Sequence, residues 1–561
     1  MKVHAIKEQR ESAESFILRA GEFEQQGSSV DEYAVLIEGL RAHFDNYELY
    51  FMLGLYYRYR NADQAFLCFE NALHYCDEPE DEKVIREAME DVRDRARVRG
   101  TSIVIVSYND LELCRECLRA IRRYCQTDSY EVIVVDNAST DEEVLRYLRE
   151  QAENDKHISL IENEKNEGFP RGCNIGLGAA NPENDVFFLN NDAVIMPNAL
   201  FWLKMGLYSD KRNGAAGAVT NCAPSQEVSM ESVEPYLKKA AVDESRPLVG
   251  LDASVIDISG KHKKEDEGIS AEDDGRGAEE KAKCSMQEHR WWRTISLDTA
   301  LDTAKRYAKD HNVPMWNPIE VRCRLTGFAV LIRREAVEGI LLSESASGGH
   351  EGNCNETVEK KGMLFDERFT PGYFEDDDLG IRLCLSGWRQ ILCHNAFIYH
   401  HGGSGFTGKN DAMEVGREKF KEKWGFDIWN YTLPEDEKIA ALMKAISESD
   451  VHEKLYNRVL RILDISAGMG TTLSAIKYQM PDSFTAGITG ADVFAGLCKY
   501  MADDMIAGDP ELVTFPWPEH SFDYILVGDA AAACEKPEQL LGKLKTYLKE
   551  NGRLLNAVTE T

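Results

Sequence analysis

The chain is 561 residues long and 43% apolar, and its 97 acidic residues against 65 basic ones give a formal charge of −32. That length exceeds one ordinary core and sets an expectation of roughly two to four domains. The acidic excess excludes a general affinity for nucleic acid or for an anionic membrane, because phosphates are repelled, yet it permits a nucleotide bridged by a metal ion. Fourteen cysteines are scattered without a disulfide framework, which fits reduced thiols and a cytoplasmic location. There is no N-terminal signal pattern, and no apolar run approaches the ~20 residues needed to span a bilayer.

Residues 1–98 read as helices only. Tyr50 to Tyr57 precedes Ala65, Phe69 and Ala72-Leu73. This spacing resembles a tetratricopeptide repeat, with Leu53-Gly54, Tyr57, Ala65, Phe69 and Ala72 at its packing positions. A weaker unit spans Ala20 to Leu40. One or two repeats make no solenoid, so the region is expected to pack on the next domain, as a structural cap or a partner-binding surface.

From Thr101 the pattern changes to α/β. Ser102 to Ser107 is a continuous apolar strand of the kind found in buried parallel sheets. Leu111 to Tyr124 is an amphipathic helix. Its Cys114 and Cys117 form a C-x-x-C without a second pair, which points to packing rather than metal. A second strand, Glu131 to Val135, ends at Asp136-Asn137, and Ser139 to Glu142 starts the next helix. Further strands are expected at Ile158–Ile161 and Val186–Leu189. The alternation predicts a doubly wound sheet with ligands beyond the carboxyl ends of its strands. A domain over 99–430 is interrupted at 226–317, where the charged stretch 260–287 reads as a mobile loop. A second polar insertion covers 343–361. The last segment, 450–561, is a new α/β unit. It has strands at Arg461–Ile465 and Ser521–Val527, a helix from Pro537 to Leu548, and a strand beginning at Gly552.

Two acidic sites carry the chemistry. The strand ending at Leu189 runs into Asn190-Asn191-Asp192, and Glu375-Asp376-Asp377-Asp378 follows Tyr373-Phe374. Four adjacent carboxylates repel one another unless they are solvated, bind a cation or hold a proton for chemistry. A hard divalent cation such as Mn2+ or Mg2+ can neutralise the diphosphate of a nucleotide sugar while a carboxylate deprotonates the acceptor hydroxyl.

Eight motifs in order resemble the family 2 glycosyltransferases of the GT-A fold, in the branch containing rhamnosyltransferases. They are Val106-Ser107-Tyr108-Asn109, Val134 to Asp141, Asn166-Glu167-Gly168-Phe169 with Asn174, and Leu189 to Asp192. Leu325 to Ala329, Phe365 to Phe369, Glu375-Asp376 and His400-His401-Gly402-Gly403 complete the series. The resemblance implies a GT-A nucleotide-sugar domain and an inverting transfer to a surface glycan or a surface protein such as flagellin. Asp376 would be the base, beside Glu375. Ser107, Asn109, Asp136, Asn166, Gly168, Asn174, Asn190 and Asn191 would bind the donor. Arg382 would touch the diphosphate or brace the carboxylates. Asp192 would hold the metal, with His400 as a further ligand and His401 as its rival.

The 450–561 segment resembles a truncated class I methyltransferase of Rossmann-like fold. Asp464, Gly468 and Gly470 stand at the S-adenosylmethionine loop positions, but Gly487 to Gly490 offers no acidic residue for the ribose. That favours a degenerate module whose removal leaves transfer intact. The other readings are a scaffold with two degenerate sites and a bifunctional glycosyl- and methyltransferase.

Overall fold

A computed structural model describes residues 11–126, 129–223, 225–243, 291–347, 363–403, 411–448, 459–490, 492–528, 534 and 536–555. The charged stretch 260–287 lies outside the described residues, as do 348–361 of the second insertion.

Five helices open the chain: α1 (Ala13–Gln26), α2 (Ser29–Ala42), α3 (Tyr47–Tyr57), α4 (Ala62–Tyr75) and α5 (Pro79–Arg93). Ser12, Asn46 and Asn61 cap α1, α3 and α4 by accepting the backbone N–H of Ser15, Leu49 and Gln64. Each such cap contributes about 1 kcal/mol. The Phe69 ring of α4 lies over Gly54 of α3, where a Cβ would stand 2.4 Å from it. These helices share a continuous apolar core with the domain that follows.

The join to that domain is polar at its centre. Asn198 takes up a left-handed conformation at φ 61°. Its amide donates to the Tyr50 hydroxyl at 2.9 Å and the Phe44 carbonyl at 3.1 Å, and its Oδ1 accepts from the Tyr75 hydroxyl at 2.8 Å. A buried amide must satisfy these groups or lose about 1–3 kcal/mol for each one left unpaired.

The central sheet holds β1 (Thr101–Ser107), β2 (Tyr130–Asp136), β3 (Ile158–Glu162), β4 (Asp185–Leu189), β5 (Ala193–Ile195), β6 (Asn213–Val219), β7 (Ile319–Arg322), β8 (Ala329–Ile332) and β9 (Arg389–His400). Their order is β3-β2-β1-β4-β8-β6-β9-β5, with β7 also paired to β9. The first four are parallel, as expected, but β8 runs antiparallel between β4 and β6. The sheet is therefore mixed rather than purely parallel. Because Leu189 pairs with Ala329, the turn after β4 and the turn before β8 meet at one edge. The first helix after β1, α6 (Leu111–Tyr124), buries Cys114 and Cys117, and burial pushes the Cys114 thiol up to about 12. The pair is packing, not a metal site.

The C-terminal unit is a parallel sheet in the order β12-β11-β10-β13-β14. Its strands are β10 (Arg461–Asp464), β11 (Phe484–Thr489), β12 (Asp504–Ala507), β13 (Phe522–Leu526) and β14 (Leu548–Leu555). It is not a detachable appendage. The helix Thr471–Gln479 lies along β7: Asn317 donates to the Tyr478 carbonyl at 2.6 Å, and the His394 and Tyr478 rings stack at 4.2 Å. One apolar cluster joins Ile381 and Cys384 of the central domain to Met469, Phe494, Leu497 and Met501 of the C-terminal unit. That shared core ties the unit to the helix Glu375–Leu385.

Candidate active site

The site forms where β1, β2 and β4 end. Among the described residues, five of the seven left-handed non-glycine residues border it: Asn109, Asp110, Ala138, Tyr373 and Phe374. Bulky residues at positive φ are strained, and such strain gathers at functional sites.

The loops after β1, β2 and β3 hold one another. Asp136 is buried and accepts from the backbone N–H (3.0 Å) and the hydroxyl of Ser139. Asn109 Oδ1 accepts from the N–H of Thr140 and Asp141, at 2.9 and 3.1 Å. Asn137 donates to Asn166 Oδ1 at 2.9 Å, and Asn166 Oδ1 accepts the Gly168 N–H at 2.9 Å. At Gly168, φ is +80° and a Cβ would stand 2.7 Å from Thr370 Cγ2. Only glycine gives both that backbone and that approach. Ser107 is buried at the end of β1. Asn174 is turned elsewhere: its amide brackets the Phe365 backbone, accepting at 3.0 Å and donating at 2.8 Å.

Asn190 and Asn191 form the turn between β4 and Asp192. The Asn190 N–H donates to the Phe328 carbonyl at 2.8 Å, while its buried Oδ1 has no protein partner. Asp192 Oδ1 lies 3.4 Å from His400 Nε2. The His400 Nδ1 faces the Cys222 carbonyl at 2.6 Å, and the His400 ring stacks on Phe328 at 4.8 Å. Donating Nδ1–H to that carbonyl turns Nε2 toward Asp192. Burial works against a charge on His400, but the adjacent Asp192 carboxylate outweighs it and lifts the imidazole to about 10. His401 is turned to the Tyr399 hydroxyl at 3.1 Å, and burial lowers it.

Among the described residues, no group of three His, Cys, Asp or Glu side chains converges to hold a metal. One carboxylate oxygen and, once a cation displaces the proton from His400 Nε2, one imidazole nitrogen suit a manganese-like ion whose other positions are filled by ligand oxygens and water. The unpartnered Asn190 Oδ1 beside them fits the same use.

The acidic run is the first turn of the helix Glu375–Leu385, where the helix dipole favours negative charge. Its four carboxylates have four different surroundings. Glu375 is buried with Oε2 unpartnered, and burial, then Asp376, pushes its carboxyl well above the usual range. Asp377 is paired with Arg324; burial outweighs that partner and lifts it to about 7. Asp378 is fully buried by Arg382 at 2.9 Å, Lys423, and the Trp424 indole N–H at 3.0 Å. Arg382 is thereby committed to bracing, since it also donates to the Leu364 carbonyl. Asp376 alone stays half-buried at the rim, its Oδ2 accepting from the Gly327 N–H at 2.9 Å and its Oδ1 from the Asp377 N–H at 2.9 Å.

Sequence reasoning missed Gly327 as the support of Asp376, and Arg324, Lys423 and Cys222 as partners. The Leu325-Thr326-Gly327-Phe328 motif was visible, but its hydrogen bond to a helix 49 residues away was not.

The fold is GT-A-like, with a helical N-terminal region and a C-terminal α/β region. Residues 102–237 match Glycosyl transferase family 2. No curated protein matches the chain. Similar solved structures include GalNAc-T7 with UDP, GalNAc and Mn2+, at 10% identity and a TM-score of 0.36, covering 64% of this chain and 53% of that one. The chain thus spans about half the length of that structure. Mannosyltransferase PcManGT from Pyrobaculum calidifontis, with GDP-Man and Mn2+, has 12% identity and a TM-score of 0.30, with 69% and 71% covered. S. aureus TarS 1–349 has 12% identity and a TM-score of 0.29, with 68% and 72% covered. Among the described residues, no helix is long and apolar enough to cross a membrane.

Proposed function

We propose that the chain transfers a sugar from a nucleoside diphosphate donor to a hydroxyl of a glycan or protein, with inversion at the anomeric carbon. The observation that carries this reading is the isolation of Asp376. Three of the four carboxylates in its run are buried, and it alone stands at the rim with both oxygens oriented by backbone N–H groups. In that position it takes the proton of an acceptor hydroxyl attacking opposite the leaving diphosphate. Glu375 lies buried beside it, its carboxyl pushed well above the usual range by burial and by Asp376.

Asp192 and His400 would hold a divalent cation, which supplies charge neutralisation to the departing diphosphate. Asp136 and the Asn109 and Asn166 loops shape the nucleoside side. Their hydrogen bonds to one another fix that surface before any ligand arrives, which lowers the cost of ordering it on binding. Flagellin is one surface protein to include among the acceptors assayed.

The test is thermal shift with UDP, dTDP and GDP, each with and without manganese. A ligand that binds only the folded state raises the melting temperature. A manganese-dependent rise with one nucleotide supports the reading and narrows the donor. No rise with any of the three removes it.

A further inference from the structure

The C-terminal sheet places its ligand crevice by topology. From β10 the chain goes outward to β11 and β12, then crosses to β13 and β14 on the other side. In parallel α/β sheets, ligands enter beyond the carboxyl ends of the strands where the order reverses, here between β10 and β13. Asp464 and Ser466 close one side of that crevice, and Gly528 closes the other.

The crevice is already filled, by the segment that links the two α/β regions. Lys438, 1% exposed at its side chain, reaches Asp464 at 3.0 Å and Ser466 Oγ at 2.9 Å. A Cβ on Gly528 would stand 2.6 Å from Lys438 Cε. The Tyr431 ring covers the glycine loop, 2.9 Å from where a Gly468 Cβ would be. At the N-terminus of the helix Thr471–Gln479, where an anion would be received, the Thr471 hydroxyl donates to the Tyr431 carbonyl at 2.6 Å. Asp464, Gly468 and Gly470 therefore do not fit S-adenosylmethionine: a lysine, an aromatic ring and a carbonyl stand where its groups would enter.

The same plug reaches the other site. Tyr431 packs on Phe494 at 4.7 Å and on Phe426 at 6.1 Å, within the cluster that buries Ile381 and Cys384. Ile381 and Cys384 lie on the helix that begins at Glu375-Asp376. The C-terminal unit thereby brackets that helix.

We infer that the C-terminal unit binds no nucleotide cofactor, and that its crevice is a socket in which Tyr431 and Lys438 lock the unit against the helix bearing Asp376. Tyr431 is a positioning residue, acting through Phe494 and Ile381. This builds on the transferase reading only in the use made of Asp376.

The test uses the full chain. Calorimetric titration with S-adenosylmethionine is expected to show no binding up to about 1 mM, and a Kd below about 100 µM would overturn the socket. Hydrogen exchange then reads the helix directly. Tyr431→Ala should speed exchange of the amides of residues 378–386 at least about ten-fold, because local opening sets that rate. Tyr431→Phe, which keeps the ring, should restore it. Leu540→Ala, in the separate core of the C-terminal unit, should lower the melting temperature and leave those amides as they were. Native protection in Tyr431→Ala, or equal loss in Leu540→Ala, would overturn the inference. Exchange reports on the helix whether or not Asp376 is the base, so failure of the transferase reading leaves this result standing.

Discussion

The Gly327 N–H donates to Asp376 Oδ2 at 2.9 Å, and a Cβ on Gly327 would stand 3.3 Å from Asp376 Cβ. Glycine lets the turn before β8 come up against the carboxylate and hold it. Asp376→Asn keeps an oxygen for that bond, but it loses the acceptor of the Asp377 N–H and the ability to take a proton. The turnover number is expected to fall about 10²- to 10⁴-fold with donor KM within about two-fold. Steady-state kinetics decides it, and retained turnover removes Asp376 as the base.

Asp192 pairs with His400 at 3.4 Å beside the unpartnered Asn190 Oδ1. Asp192→Ala should weaken manganese-dependent nucleotide binding at least about ten-fold and leave metal-free binding unchanged. Titration with and without manganese measures both. Equal manganese dependence in the variant and the parent refutes the ligand assignment.

Asp366 accepts from Arg368 and from Lys423 at 2.8 Å, and Lys423 also pairs with Asp378 at the acidic helix. Burial works against the Asp366 charge, but its hydrogen bonds to Arg368 and Lys423 overcome it and hold the carboxyl below the usual range. A depressed carboxylate stabilises the fold above its unfolded value, and that contribution is lost as pH falls through the folded value. Asp366→Asn should therefore cost about 1–2 kcal/mol at pH 7. The gap to the parent should close as pH drops below the ordinary carboxylate range. Urea unfolding midpoints from pH 8 downward test this, and a pH-independent gap contradicts it.

Truncation after residue 450 removes Met469, Phe494, Leu497 and Met501 from the cluster around Ile381. Loss of one large buried apolar side chain costs about 2–5 kcal/mol, and here four leave together. The truncated chain is expected to aggregate or to melt well below the parent. A soluble fragment with full turnover would show that the shared core is dispensable.

The strands that build the site were legible because they are long apolar runs. Ile103 to Val106 and Val132 to Val135 are buried on both faces. By contrast β6, Asn213–Val219, is rich in alanine and glycine and carries no strand signal. It is a strand because its neighbours need thin backbone: a Cβ on Gly214 would stand 2.7 Å from Trp388, and one on Gly217 2.8 Å from Leu325. The acidic run was legible as a site but not as a division of labour. Four consecutive carboxylates look alike in sequence, and only the fold supplies Arg324 to one, Lys423 and Arg382 to another, and the Gly327 N–H to a third. The plug of Tyr431 and Lys438 left no trace, because packing between distant segments has no local period to read.

Asn198 has a consequence for how this chain is inherited. Its one amide answers two tyrosine hydroxyls and a carbonyl from the helical region. A recombination that grafted those helices onto another catalytic domain would strand the Tyr75 hydroxyl unless an asparagine in the same left-handed turn travelled with them. The two regions are therefore expected to pass down a lineage as a matched pair, with changes on one face answered on the other.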